Sequence, residues 1–150
     1  MRELNLKEII IYAENIELES FTFYQHAAEI VNNKSVKDIF EQLANEETDH
    51  YNQLRKLRAE ESISKANLEE KLQIDADLLE MLVNSDKIES DYSGAEVLNT
   101  ALKREINTAK AYEMFLTFTS LNQDAIEVFE QLRLQELGHI TKIENRLKKI

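Results

Sequence analysis

The segment FEQLANEETDH, beginning at Phe40, returns near the end of the chain as FEQLRLQELGH, beginning at Phe129. In each copy a glutamate follows the phenylalanine by seven positions, and a histidine follows that glutamate by three. Upstream, Glu17 and Tyr24 precede the first copy as Glu105 and Tyr112 precede the second, seven positions apart in both cases. From Glu17 to Glu47 is 30 positions and from Glu105 to Glu136 is 31, a difference that one hairpin loop absorbs. The chain therefore reads as an internal duplication. Any fold it adopts has to place two histidine-bearing segments equivalently.

Apolar periodicity and start signals give four long amphipathic segments. The first runs from about Asn5, with Glu8 completing a capping box, to the pair Asn32 and Asn33. The second starts near Ser35 and reaches about Ala59. Ser93 and Glu96 form another capping box, opening a third segment that extends to roughly Thr119, and the fourth runs from near Asn122 to the end. Short loops make each consecutive pair an antiparallel hairpin. The stretch from Ser62 to Tyr92 holds one short helix, from about Asp75 to Asn84 with Leu78, Leu79 and Leu82 as its apolar face, and is long enough to cross the bundle. Two hairpins joined by one long crossover is the ferritin-like variant of the four-helix bundle, so an all-α fold is expected.

Composition agrees with this and narrows the chemistry. A chain of 150 residues with no proline and two glycines lacks the punctuation of sheets, and it is long enough for one domain, spanning 1–150, with a core of its own. The absence of cysteine removes disulfides, thiolate metal sites and cysteine nucleophiles, and fits a reducing cytoplasm. No apolar run resembles a signal peptide or a membrane span, so a soluble, unexported, cytoplasmic protein is expected. A formal charge of −11 without a basic patch argues against nucleic acid. Lys142, Arg146, Lys148 and Lys149 read as cations at the negative end of a helix.

A stripe alternating four and three residues threads each helix. It reads Leu6, Ile10, Ala13, Glu17, Ser20, Tyr24, Ala27, Val31 on the first and Val36, Phe40, Leu43, Glu47, His50, Leu54, Leu57 on the second. On the third it reads Leu98, Leu102, Glu105, Ala109, Tyr112, Leu116, and on the fourth Ala125, Phe129, Leu132, Glu136, His139, Ile143. Each apolar seam is interrupted mid-helix by a glutamate, and two of them by a histidine one turn later. Buried carboxylates cost several kcal/mol each unless compensated. Two divalent cations balance four glutamates, and a Glu and a His three apart share a helix face, so both reach one ion. One Glu from each of two helices with Glu-x-x-His from each of the other two is a known arrangement for two metals in a bundle. Zinc suits any histidine and carboxylate site, but six hard or borderline ligands suit iron or manganese better. Without metal the six groups form a buried Glu/His network, and the chain is then a helical interaction module.

Tyr24 and Tyr112, two turns beyond Glu17 and Glu105, are either aromatic core fillers or hydrogen-bond partners of metal ligands. His26 falls off the seam and reads as a surface residue. Gly138, inside the second Glu-x-x-His, costs ~1 kcal/mol relative to alanine in mid-helix, which room for a close helix approach would explain.

In the segments NIELESFTFY, FEQLANEETDH, REINTAKAY and FEQLRLQELGH the sequence resembles the rubrerythrin branch of the ferritin-like superfamily, over nearly the whole chain. The resemblance implies two irons in the bundle (manganese or a mixed pair being the alternatives) and reaction with hydrogen peroxide or dioxygen. It implies Glu17 and Glu105 as terminal ligands, Glu47 and Glu136 as bridging ligands, and His50 and His139 as one nitrogen ligand per metal. Rubrerythrins also carry a cysteine-ligated iron that delivers electrons; this chain has no cysteine, so an external electron donor protein is expected. They carry a further glutamate one turn after the third-helix ligand, where this sequence has Thr108, which implies a simpler, more symmetric site. The expected activity is peroxide or dioxygen reduction by a homodimer. Ferroxidase or iron storage in a hollow shell is the alternative.

Overall fold

A computed structural model describes residues 1–66, 68–83, 87–118 and 122–150. Two long helices, α1 (Leu6–Ile30) and α2 (Lys34–Arg58), form the first antiparallel hairpin, and α5 (Gly94–Phe115) and α6 (Gln123–Leu147) form the second. Between them lie α3 (Glu61–Ser64) and α4 (Ala76–Val83). This is the ferritin-like helical bundle expected from the seams.

The helix starts follow from local chemistry. Asn5 and Ser93 both make complete capping boxes, with Glu8 and Glu96 respectively, and Asn33 and Asn122 accept from the backbone of Val36 and Ala125. Each cap satisfies amide groups that the first turn leaves without partners. The expected helix ends Asn84 and Thr119 lie outside the described residues. At the other end of α6, Arg146 donates to Ser35 Oγ at 2.8 Å and to Asn33 Oδ1 at 3.4 Å, tying the last turn to the start of α2.

Two features of the crossover are absent from the sequence reading. Strand β1 (Arg2–Leu4) pairs antiparallel with β2 (Leu72–Ile74), Leu4 opposite Leu72, so the first residues of the chain pin the crossover to the bundle. Leu4 and Ile74 are buried in this ribbon, and Ile63 on α3 is buried beneath it with Leu79 and Leu82 of α4. Leu78 is only half-buried. Tyr12 of α1 donates its hydroxyl to Leu79 O at 2.6 Å, fixing α4 against the first helix.

The seams of α1, α2 and α6 are buried throughout. On α5 the buried face is rotated slightly, because Ala101, Arg104, Thr108 and Phe115 are buried whereas Leu102 and Leu116 are half-buried. Small side chains at Ala101, Thr108 and Ala111 let this helix turn a broader face inward. The apolar core falls into two clusters, one around Ile10, Leu54, Phe115 and Phe129, the other around Phe40, Ala27, Leu98 and Ile143. On every long helix the seam glutamate lies between them, so the ionisable side chains form a belt across the middle of the bundle.

Candidate metal centre

All six ionisable seam residues meet in that belt, and none is more than 5 % exposed. They form two groups whose potential ligand atoms all lie within 4.8 Å of one another: Glu17, Glu47, His50 and Glu136, and Glu47, Glu105, Glu136 and His139. Glu47 and Glu136, the glutamates of the two Glu-x-x-His motifs, belong to both groups, while Glu17 and Glu105 each belong to one. The duplication thus appears in three dimensions as a pseudo-twofold arrangement about the Glu47/Glu136 pair. Both histidines turn the same nitrogen inward. His50 Nδ1 lies 3.1 Å from Glu136 and 3.4 Å from Glu17, and His139 Nδ1 lies 3.1 Å from Glu47 and 3.5 Å from Glu105. The rings stack with centroids 5.6 Å apart.

The two tyrosines cross between the repeats. Tyr112 on α5 donates to Glu17 on α1 at 2.5 Å, and Tyr24 on α1 donates to Glu105 on α5. Glu17 and Glu105 are therefore each held by a phenol from the other half, not by the tyrosine of its own helix. Burial, then the neighbouring glutamate charge, raises both phenols well above their ordinary pKa, so they remain donors.

The electrostatics show how the cluster persists. Burial, reinforced by the charge of Glu47, pushes Glu17 up to about 8. Burial and the other three carboxylates hold Glu136 well above the carboxylate range. Burial acts in the same sense on Glu47 and Glu105, but contacts with protonated partners outweigh it and keep both below the usual value. Burial alone lowers the histidines; their carboxylate neighbours reverse this and raise both above the ordinary imidazole range. Two protonated glutamates, two glutamates left charged and two imidazolium ions sum to zero.

Protons do not complete the hydrogen bonding. Among the described residues, Glu17 Oε2, both oxygens of Glu47, Glu105 Oε2, Glu136 Oε2 and His139 Nδ1 are buried without a hydrogen-bond partner. Orphaned buried polar atoms are rare in folded proteins and costly. Here five carboxylate oxygens and one imidazole nitrogen converge on the same volume, the donor set of hard, oxygen-rich divalent sites. The residues fit a pair of metal ions.

Several neighbours escape the sequence reading. Glu46, half-exposed, places Oε2 2.9 Å from His139 Nε2. Its position beside the repeated glutamate was the available signal. Arg104 is buried next to Glu105, its guanidinium 4.6 Å from the Phe23 ring centroid and its Nη2 3.4 Å from Ser20 Oγ. Glu14 is buried on α1 and accepts two bonds from Arg58, at 2.7 and 3.0 Å, locking α1 to the last turn of α2. Thr108 donates to the carbonyl of Arg104 within its own helix. The close helix approach expected at Gly138 is not what the structure has: a Cβ there meets no atom within 4 Å. Gly138 lines an open pocket of about 460 Å³ together with His50, His139, Glu46, Asp49, Gln53, Gln135 and Lys142. His26 is exposed, as its place off the seam predicts.

Among known proteins, the rubrerythrin family model matches residues 1–58, the first hairpin with its Glu17, Glu47 and His50. A comparison with curated proteins returned no match. Among solved structures, one described as a ferritin-like diiron-carboxylate protein from Thermotoga maritima superposes with a TM-score of 0.78 at 23% identity, covering 99% of this chain and 97% of the other. A dodecameric thioferritin, described as a bacterioferritin-related protein from Bacteroides fragilis, superposes with a TM-score of 0.72 at 19% identity, covering 96% of this chain and 84% of the other. The chain is therefore similar to rubrerythrins over its first hairpin and has the fold of a ferritin-like helical bundle along its whole length.

Proposed function

We propose that Glu17, Glu47, His50, Glu105, Glu136 and His139 hold two iron ions, and that the protein is an oxidoreductase reducing hydrogen peroxide or dioxygen there. The observation that carries this reading is the set of partnerless carboxylate oxygens around two shared glutamates. Bound in this belt, the ions supply two electrons, one each, which with two protons turn one hydrogen peroxide into two waters.

The chain's own residues set the conditions for that chemistry. Glu47 and Glu136 belong to both groups, so they would be shared between the two ions. The phenols of Tyr112 and Tyr24 orient Glu17 and Glu105 by holding Oε1 of each, leaving the Oε2 that the histidines approach. The apolar clusters above and below exclude bulk water, while the pocket over the imidazoles leaves one side open to a small oxidant. With no cysteine in the chain, electrons come from a separate donor protein.

A second reading, ferroxidase or iron storage, makes iron the substrate, and the dodecameric assembly of a structural neighbour favours it. Stopped-flow oxidation of anaerobically ferrous-loaded protein separates the two. The peroxidase reading predicts one hydrogen peroxide consumed per two ferrous ions, faster than dioxygen, in a homodimer that retains no more than two irons per chain. Iron accumulating well beyond two per chain in a large shell contradicts it and supports storage.

A further inference from the structure

The duplication gives the two halves of the cluster identical ligand types, yet the residue before each repeated glutamate differs: Glu46 on α2 and Gln135 on α6. Glu46 reaches the histidine of the other repeat, 2.9 Å from His139 Nε2. Among the described residues His50 has no counterpart contact of this kind. Glu17, Glu47 and Glu136 approach it at 3.4, 3.7 and 3.1 Å, all on Nδ1. Gln135, in the same pocket, offers an amide whose buried Oε1 has no hydrogen-bond partner. The ligand types of the two halves are matched. Both groups contain Glu47 and Glu136, and each terminal glutamate has its phenol.

We propose that Glu46 makes the two metal positions inequivalent, so that the group of Glu47, Glu105, Glu136 and His139 takes a divalent cation first and holds it more tightly than the group containing His50. This rests on reading the cluster as a two-metal centre. When an imidazole gives Nδ1 to a cation, its proton stays on Nε2. A carboxylate accepting that proton fixes the ring and makes Nδ1 a stronger donor, and such partners are worth roughly 10–100-fold in metal affinity. Glu46 Oε2 is buried 2.9 Å from Nε2 and has no other hydrogen-bond partner among the described residues, so it is placed to accept that proton. A neutral amide accepts more weakly than a carboxylate, so Gln135, the repeat counterpart of Glu46 in the same pocket, is the weaker acceptor available to His50. Arg104, a buried cation interacting with Glu105, acts against this order, and the experiment reads which effect is larger.

Anaerobic titration of the full chain with Co²⁺, a redox-inert spectroscopic probe, tests this. Two binding steps separated roughly 10–100-fold are expected. Crystals grown with one equivalent should show anomalous scattering on the His139 side. Glu46→Gln should weaken the first step by that factor and leave the second in place. Gln135→Glu, which adds a carboxylate instead of removing one, should strengthen the second step and bring the two together. A first equivalent shared evenly or bound on the His50 side overturns the proposal, as does a Glu46→Gln chain whose two steps shift equally. Uptake of fewer than two Co²⁺ per chain at excess metal overturns the two-metal reading itself, a different result from even sharing.

Discussion

Tyr112 and Gly138 show at the residue scale how the centre constrains its surroundings. The Tyr112 hydroxyl is the hydrogen-bond partner of Glu17 Oε1, and both groups are buried. Removing it strands a carboxyl oxygen, so Tyr112→Phe should destabilise the metal-free chain by about 1–3 kcal/mol in urea denaturation. An unchanged midpoint would show that the bond contributes nothing. Gly138 has helical neighbours and open space where its Cβ would be. Gly138→Ala should therefore stabilise by ~1 kcal/mol through backbone entropy. A loss of stability would mean that the helix is packed more tightly there than the structure has it. Which tyrosine serves which glutamate was not legible in the sequence. The seven-residue spacing places Tyr24 and Glu17 on one face, but the crossed pairing depends on how α1 and α5 are rotated against each other, which periodicity does not encode.

At the scale of elements, what could be read from sequence was what is local. Asn5 with Glu8 and Ser93 with Glu96 announce two helix starts within four residues each, and the seams of α1, α2 and α6 follow from spacing alone. The convergence of the six ionisable residues was legible for the same reason, since they interrupt apolar seams at repeat-related places. The β1–β2 ribbon was not, because it joins two three-residue strands some seventy positions apart with no turn between them to give a signal. Glu14 with Arg58 and Arg104 over Phe23 are likewise contacts between helices, invisible to a one-helix reading. The ribbon has a measurable consequence. Leu4 is buried against the crossover, so Leu4→Ala should cost about 2–4 kcal/mol and expose the crossover to limited proteolysis before the bundle itself. Equal cleavage rates in both proteins would show that β1 does not hold the crossover.

The molecule as a whole is a bundle with a charged belt where a core would otherwise run unbroken. Glu17, Glu136, His50 and His139 all bind protons more strongly folded than their ordinary pKa values imply. The contributions of Glu17 and Glu136 are complete below the ordinary carboxylate range and those of His50 and His139 below the ordinary imidazole range; all decline as pH rises from there, and that of Glu17 is lost as pH passes about 8. Glu47 and Glu105, held low, contribute in the opposite sense and are lost only in acid. The melting temperature of the metal-free chain should therefore fall from pH 6 to pH 9. Metal has to displace the four raised protons, so loading two divalent ions near neutral pH should release about four protons per chain, and the thermal gain should be larger at pH 8 than at pH 6. At a hundredfold excess over Kd each ion adds ~2.7 kcal/mol. A gain independent of pH would place the ions elsewhere. The most direct measurement is metal content after anaerobic ferrous loading and desalting, compared between the native chain and Glu47→Gln/Glu136→Gln. Two irons per chain in the native protein and almost none in the variant are predicted; equal content in both, or less than one iron per native chain, contradicts a centre built on the shared glutamates.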